Sequence, residues 1–199
     1  MGKYEIVSEV PSHLGRPAVF LDRDGVLNEP IVVDQKPYPP RSVAEFRLLP
    51  GVVEGCRLLK DAGFLLVVAT NQPDVGRGTL SQEVVEEIHR HLCELLPIDR
   101  VEVSYDAGRG EPAPMRKPAP GMLLRAAGDL GIDLAASYMI GDRWRDVDCG
   151  NAAGCRTVFI DYGYDEELRT RPHFTVHTFA EAAQAVLESR PVLSHLSIQ

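Results

Sequence analysis

Asp22 and Asp24 stand two residues apart directly after the apolar run Ala18-Val19-Phe20-Leu21, and Gly25 follows them. At the end of a strand two such carboxylates can point at one cation, and a glycine lets the chain depart sharply. A second polar cluster, Thr70-Asn71-Gln72, ends another apolar run and offers a hydroxyl and amide donors where a phosphate oxygen could sit. On its own that cluster would read as a strand-ending turn with a side-chain-to-backbone hydrogen bond. Lys117 is followed by Pro118 and Pro120, which restrict the backbone that presents it. The fourth cluster is Gly141-Asp142-Arg143-Trp144-Arg145-Asp146. Its two acids, four residues apart, share one side of any helix that starts there, and either could serve as its cap. An isolated pair of aspartates is common in solvated loops. Four clusters in this order, three of them at the ends of apolar runs, point to one anion- and cation-binding site.

Elements must exist to hold these clusters together. Ala18–Leu21, Phe64–Ala69 and Thr157–Ile160 are continuously apolar and rich in β-branched residues, as strands covered on both faces are. Val101–Tyr105 and Tyr138–Ile140 are weaker examples, so about five parallel strands are expected. Helical faces lie between them: Val52, Val53, Cys56 and Leu59 before Gly63, and Val84, Val85, Ile88, Leu92 and Leu95 after a Ser81 N-cap. Met122–Leu130 and Ala180–Leu187 are further helices. Alternating strands and helices predict an α/β fold, a doubly wound, mainly parallel sheet with helices on both faces. Ligands then bind at the carboxyl ends of the strands, where the polar clusters fall. The proline-rich stretch 29–50 is expected to form a flap beside them. The expected layout is one domain over 1–199 with its core at about 17–190, no large inserted cap, and a poorly ordered tail at 191–199.

A formal charge of −8 leaves no broad cationic field for a polyphosphate chain, so nucleic acid is not an expected partner. A small anionic substrate would have to be held by a few local cations and a metal. Cys56, Cys93, Cys149 and Cys155 show no paired spacing, and no secretory leader precedes them, which points to reduced thiols in the cytoplasm. No apolar run is long enough to span a bilayer. A soluble monomer is the expectation.

In these four clusters the chain resembles the haloacid dehalogenase-like superfamily, through Phe20-Leu21-Asp22-Arg23-Asp24-Gly25, Thr70-Asn71, Lys117-Pro118 and Gly141-Asp142 with Asp146. The stretches DRDGVLNE, ATNQPDVGRG, MRKPAPGM and IGDRWRDVDCGNAAG are similar to its small capless branch, which contains the heptose bisphosphate and histidinol phosphatases. The resemblance implies a magnesium-dependent phosphatase. Asp22 would be the nucleophile that forms an aspartyl-phosphate, and Asp24 the acid and then the base. Mg2+ would be held by the Asp22 carboxylate, the Asp24 carbonyl and Asp142. Thr70, the backbone around Asn71 and Lys117 would neutralise phosphate oxygens. Arg116 and Arg143 look like that branch's substrate-recognition cations, suited to a second phosphate or a carboxylate.

One departure stands out. Heptose bisphosphate phosphatases usually carry a zinc loop before the Lys-Pro motif, whereas residues 104–115 contain neither cysteine nor histidine. Without thiolate or imidazole ligands no zinc is expected there. A sugar bisphosphate such as D-glycero-D-manno-heptose 1,7-bisphosphate is the substrate the resemblance favours. Histidinol phosphate, another sugar phosphate or a nucleic-acid 3′-phosphate end stand as alternatives, the last disfavoured by the acidic charge. A non-catalytic magnesium-binding domain is a third possibility. Hydrolytic dehalogenation is disfavoured, because a carboxylate cage for magnesium serves a phosphate dianion and not a carbon–halogen bond.

Overall fold

The computed structural model describes residues 15–33, 36–110 and 113–189, so the tail expected at 191–199 lies outside the described residues. The first strand, β1 (Ala18–Leu21), is buried along its whole length. It is central because both its faces are apolar: Val19 and Leu21 enter one core cluster, Ala18 and Phe20 the other. A short antiparallel hairpin, β2 (Ile31–Val33) and β3 (Lys36–Tyr38), occupies the proline-rich stretch. Then follow α1 (Val52–Asp61), β4 (Leu65–Asn71), a single turn α2 (Pro73–Gly76), α3 (Gln82–Leu95), β5 (Arg100–Ser104) and α4 (Gly121–Leu130). The chain continues through β6 (Tyr138–Gly141), α5 (Trp144–Ala153), β7 (Arg156–Ile160), β8 (Phe174–Val176) and α6 (Phe179–Ser189).

The main sheet has the order β5-β4-β1-β6-β7-β8, and every pairing in it is parallel. From β1 the chain crosses to β4 on one side and later returns to β6 on the other. That reversal opens a crevice at the carboxyl ends of β1, β4 and β6, the usual ligand position in such sheets. The three ends carry Asp22, Asn71 and Asp142.

The expected helices form, with Ser81 capping α3 by accepting from the Val84 amide at 3.4 Å. Two assignments need correction. Val53 and Leu95, assigned to apolar faces, are exposed, while Val52, Cys56 and Leu59 of α1 and Val85, Ile88 and Leu92 of α3 make the buried stripes. The sheet has six strands where about five were expected. The extra one, β8, is three residues of edge strand pairing Val158 with Phe174, too short and too exposed to give an apolar signal.

Candidate active site

The Asp22 amide donates to Ile140 O at 3.0 Å, which locks the end of β1 to β6. The chain then turns tightly, with the Leu27 amide on Arg23 O at 2.8 Å and the Gly25 amide on Asn28 O at 2.9 Å. Gly25 has φ +88°, and a Cβ there would collide with the Asp142 carboxylate. Glycine is required twice over, by backbone conformation and by the close approach of an acid.

Asp22 Oδ1 accepts the Arg23 amide at 2.7 Å and lies 2.8 Å from Lys117 Nζ. The buried ammonium also pairs with Asp146 Oδ1 at 2.6 Å. Asp146 is fixed in turn, because its Oδ2 accepts the Arg143 amide at 3.1 Å, reaching back over the first turn of α5. It does what the sequence allowed it to do, capping the helix, and it aims Lys117 as well. The Lys117 backbone is held by Asn71, whose amide donates to Lys117 O at 3.0 Å and accepts from Lys117 N at 3.1 Å. Burial opposes charge on Lys117, but Asp146 and Asp22 overcome it and push its pKa up.

One carboxylate oxygen each from Asp22, Asp142 and Asp146 lie within 4.8 Å of one another. Asp142 Oδ1 is buried with no hydrogen-bond partner among the described residues. A buried carboxylate oxygen left unpaired is costly unless a cation takes it up. Burial, then the Asp146 and Asp24 charges, raise the Asp22 pKa from its ordinary 3.8 to about 6 against the pull of Lys117. Asp142 is likewise raised, by burial and then by Asp22 and Asp146. Carboxylates that repel one another around an unpaired oxygen suit a hard divalent cation such as Mg2+.

Asp24 is gripped from several sides. Arg23 Nη2 donates to its Oδ1 and Oδ2 at 3.1 and 2.9 Å, Asn28 Nδ2 to Oδ1 at 3.0 Å, and Gln72 Nε2 to Oδ2 at 2.8 Å. Gln72 also donates to Thr70 Oγ1 at 3.0 Å. Thr70 is fully buried, and it is Asn71 that reaches the cleft wall. Thr70, expected as a phosphate ligand, is joined through Gln72 to Asp24 at the end of β4.

Above these groups opens a cleft of about 230 Å³, lined by Asp22, Asp24, Asn71, Lys117 and Asp142 and walled by Pro30, Tyr38 and Pro39 of the hairpin region. Arg77, Arg116, Arg143 and Arg145 line it too. Arg143 is not a free anion donor, since its Nε and Nη2 donate to Glu166 at 2.5 and 3.0 Å. Arg116 donates to Asp106 O at 2.8 Å, and burial with the nearby Arg145 and Arg77 charges lowers its pKa. Arg145 keeps a buried Nε without a hydrogen-bond partner among the described residues. Trp144 is half-buried with the guanidiniums of Arg169 and Arg145 over its ring, 3.4 and 5.5 Å from the centroid. Arg77 and Arg145 carried no signal of their own in the sequence beyond lying next to the second and fourth clusters.

Fold and site together define a doubly wound α/β protein with carboxylates at the ends of adjacent strands. The profile of the HAD-hydrolase-like family, named for the haloacid dehalogenases, matches residues 114–182. D-glycero-D-manno-heptose-1,7-bisphosphate 7-phosphatase of Thermosynechococcus vestitus is 35% identical over 168 residues, covering 77% of this chain and 83% of that protein. The D-glycero-beta-D-manno-heptose-1,7-bisphosphate 7-phosphatase of Escherichia coli K12 is 33% identical over 184 residues, 85% of this chain and 93% of that one. Among solved structures, the D,D-heptose 1,7-bisphosphate phosphatase of B. bronchiseptica, complexed with magnesium and phosphate, superposes with a TM-score of 0.70. It is 28% identical and covers 86% of this chain and 98% of that one. This chain belongs to the haloacid dehalogenase-like family and is one of its phosphatases. Among the described residues no helix is long and apolar enough to cross a membrane.

Proposed function

We propose that this protein hydrolyses one phosphate of a sugar bisphosphate, with D-glycero-D-manno-heptose 1,7-bisphosphate as its substrate, through an aspartyl-phosphate on Asp22. The observation that carries the reaction is the placement of Asp22 against Lys117, with Asp24 and Asp142 on the same cleft. The substrate rests on the names of the relatives and on cations in excess of what one phosphate needs.

Asp22 would attack phosphorus in line with the leaving oxygen, forming the Asp22 O–P bond as the sugar O–P bond breaks. Asp24 would give its proton to the departing alkoxide and then take one from the water that attacks the acyl-phosphate. Lys117, immobilised by Asp146, places a fixed positive charge where the equatorial oxygens gain charge. Asp22 and Asp142, with the Asp24 carbonyl, would hold Mg2+, which when bound offsets charge on the transferring phosphoryl group. Asn71 contributes by fixing the Lys117 backbone and by its own amide at the cleft. Arg77, Arg116 and Arg145 would anchor the phosphate that is not cleaved. Arg143, committed to Glu166, would act by shaping that wall.

The substrate is expected to be small and phosphorylated, the protein a cytoplasmic monomer without zinc. Phosphate release from the heptose bisphosphate, from other sugar mono- and bisphosphates and from histidinol phosphate, with and without Mg2+, is the test. Loss of all turnover in Asp22→Asn with the fold retained is the expected control. A clear preference for histidinol phosphate would replace the substrate, and activity in Asp22→Asn above a few per cent would remove the covalent mechanism.

A further inference from the structure

Arg23 is wholly buried, an unusual position for a guanidinium, and it lies between the two aspartates of the site. Its Nε and Nη2 grip Asp24, while its Nη1 lies 3.1 Å from Nε2 of His89. His89 sits on the buried face of α3 beside Val85, Ile88 and Leu92, a polar residue in an otherwise apolar stripe. A guanidinium can only donate, so Nε2 of His89 must accept and the ring proton must sit on Nδ1. Nδ1 in turn faces Glu86, 3.7 Å from its Oε2. The Glu86 carboxylate is held by the hydroxyl of Tyr105, at the start of the loop that leads to Arg116 and Lys117.

We propose that His89 is a positioning residue for the acid–base step: by accepting from Arg23 it fixes the guanidinium that holds Asp24 in place at the cleft. The inference rests on the reading of Asp24 as general acid. Burial and the adjacent Arg23 charge lower the His89 pKa to about 4, consistent with a neutral, accepting ring. The alternative, a histidine that merely fills the core, is disfavoured by the geometry. Without the acceptor, Nη1 of a fully buried guanidinium is orphaned, and the group relaxes by turning toward another acceptor. Arg23 cannot turn without moving Asp24, since the same group donates to both its oxygens. Asn28 and Gln72 also hold Asp24, so the loss should be partial.

The test uses two esters and reads kcat/KM, which reports only the first phosphoryl transfer. A sugar phosphate has an alkoxide leaving group that needs a proton; 2,4-dinitrophenyl phosphate has one that departs without it. His89→Leu is expected to lower kcat/KM about 10- to 100-fold on the best sugar phosphate of the panel and less than about threefold on the aryl ester. His89→Gln, whose amide oxygen can accept from Arg23, is expected to restore most of the sugar phosphate rate. Should His89→Leu fail to fold, Arg23→Lys carries the same prediction, because an ammonium cannot grip both carboxylate oxygens in a fork. Equal losses on the two esters, no loss on either, or no rescue by glutamine would each overturn the proposal. Asp24→Asn run alongside separates the two readings. If it loses both esters equally, the acid role itself is wrong; if it spares the aryl ester while His89→Leu does not, only the positioning role is wrong.

Discussion

Removing the nucleophile should stabilise the metal-free protein. Asp22 is raised from 3.8 to about 6 in the fold, with burial the largest cause, and its side chain is only 14% exposed. An acid whose folded pKa exceeds its unfolded one binds more protons when folded. Its contribution to stability therefore falls as pH rises from about 4 through about 6 and stays at its full cost above that. At 1.36 kcal/mol per pH unit, the step from 3.8 to about 6 costs about 3 kcal/mol near pH 8 and about half of that near pH 5. Asn keeps the shape of the neutral acid and removes this penalty, while Lys117 keeps Asp146 as its partner. In a chain of this length about 2–4 °C of melting temperature corresponds to 1 kcal/mol. In chelator, Asp22→Asn should melt about 6–12 °C above wild type near pH 8, with the gap roughly halved near pH 5. His89, lowered to about 4, makes stability rise with pH in the same window. The difference between the two proteins cancels that contribution, since both contain the histidine.

Mg2+ should narrow that gap, because wild type gains about 2.7 kcal/mol at a hundred times its Kd and a variant lacking one anionic ligand gains less. Differential scanning fluorimetry across pH, with chelator and with Mg2+, reads all four conditions. A metal-free Asp22→Asn that melts below wild type, or a gap that shrinks as pH rises, would refute the account of three mutually repelling carboxylates.

Gly25→Ala should raise the Mg2+ concentration for half-maximal activity about 10- to 100-fold, because the new Cβ displaces the Asp142 carboxylate; metal titration of the folded variant checks it. Arg145→Ala and Arg77→Ala should each lower kcat/KM for the bisphosphate about 10- to 100-fold and hardly change it for the matching monophosphate, as expected for a lost charged contact to the distal phosphate. Ca2+ should inhibit in competition with Mg2+, its looser coordination spoiling the in-line geometry, and elemental analysis should find no stoichiometric zinc.

Much of the site was legible because each acidic cluster directly follows a strand whose apolar character is continuous. Asp22, Asp24, Lys117 and Asp142 meet as their order and spacing imply. What the sequence could not convey are partnerships made by distant segments. Glu166, 23 residues beyond Arg143, neutralises a cation that looked available for substrate. His89 reads as one polar residue in a helical stripe until Arg23 is found beside it, 66 residues away. Thr70 and Asn71 are adjacent, yet Asn71 lines the cleft while Thr70 is fully buried and accepts from Gln72. The short strands β2, β3 and β8 leave no periodic signal, since three residues span less than two repeats of the strand pattern.

The distribution of charge ties these parts together. Asp22, Asp142 and Asp146 surround the single ammonium of Lys117, which leaves two negative charges for a divalent cation to cancel. Asp24 is balanced separately by Arg23, and Arg143 by Glu166. Within the cleft, Asp74 is 3.4 Å from Arg77 and Asp106 is 4.0 Å from Arg116. Glu166, already shared with Arg143, is 3.7 Å from Arg145. The acid–base and nucleophilic groups are thus neutral as a set once a divalent cation is counted, whereas the wall above them keeps a positive excess. A phosphate monoester dianion would meet the lower half alone. The upper half is matched only by a substrate bringing further negative charge several ångströms from the scissile phosphorus, which is the physical reason to prefer a bisphosphate over a substrate whose far end is a cationic amine.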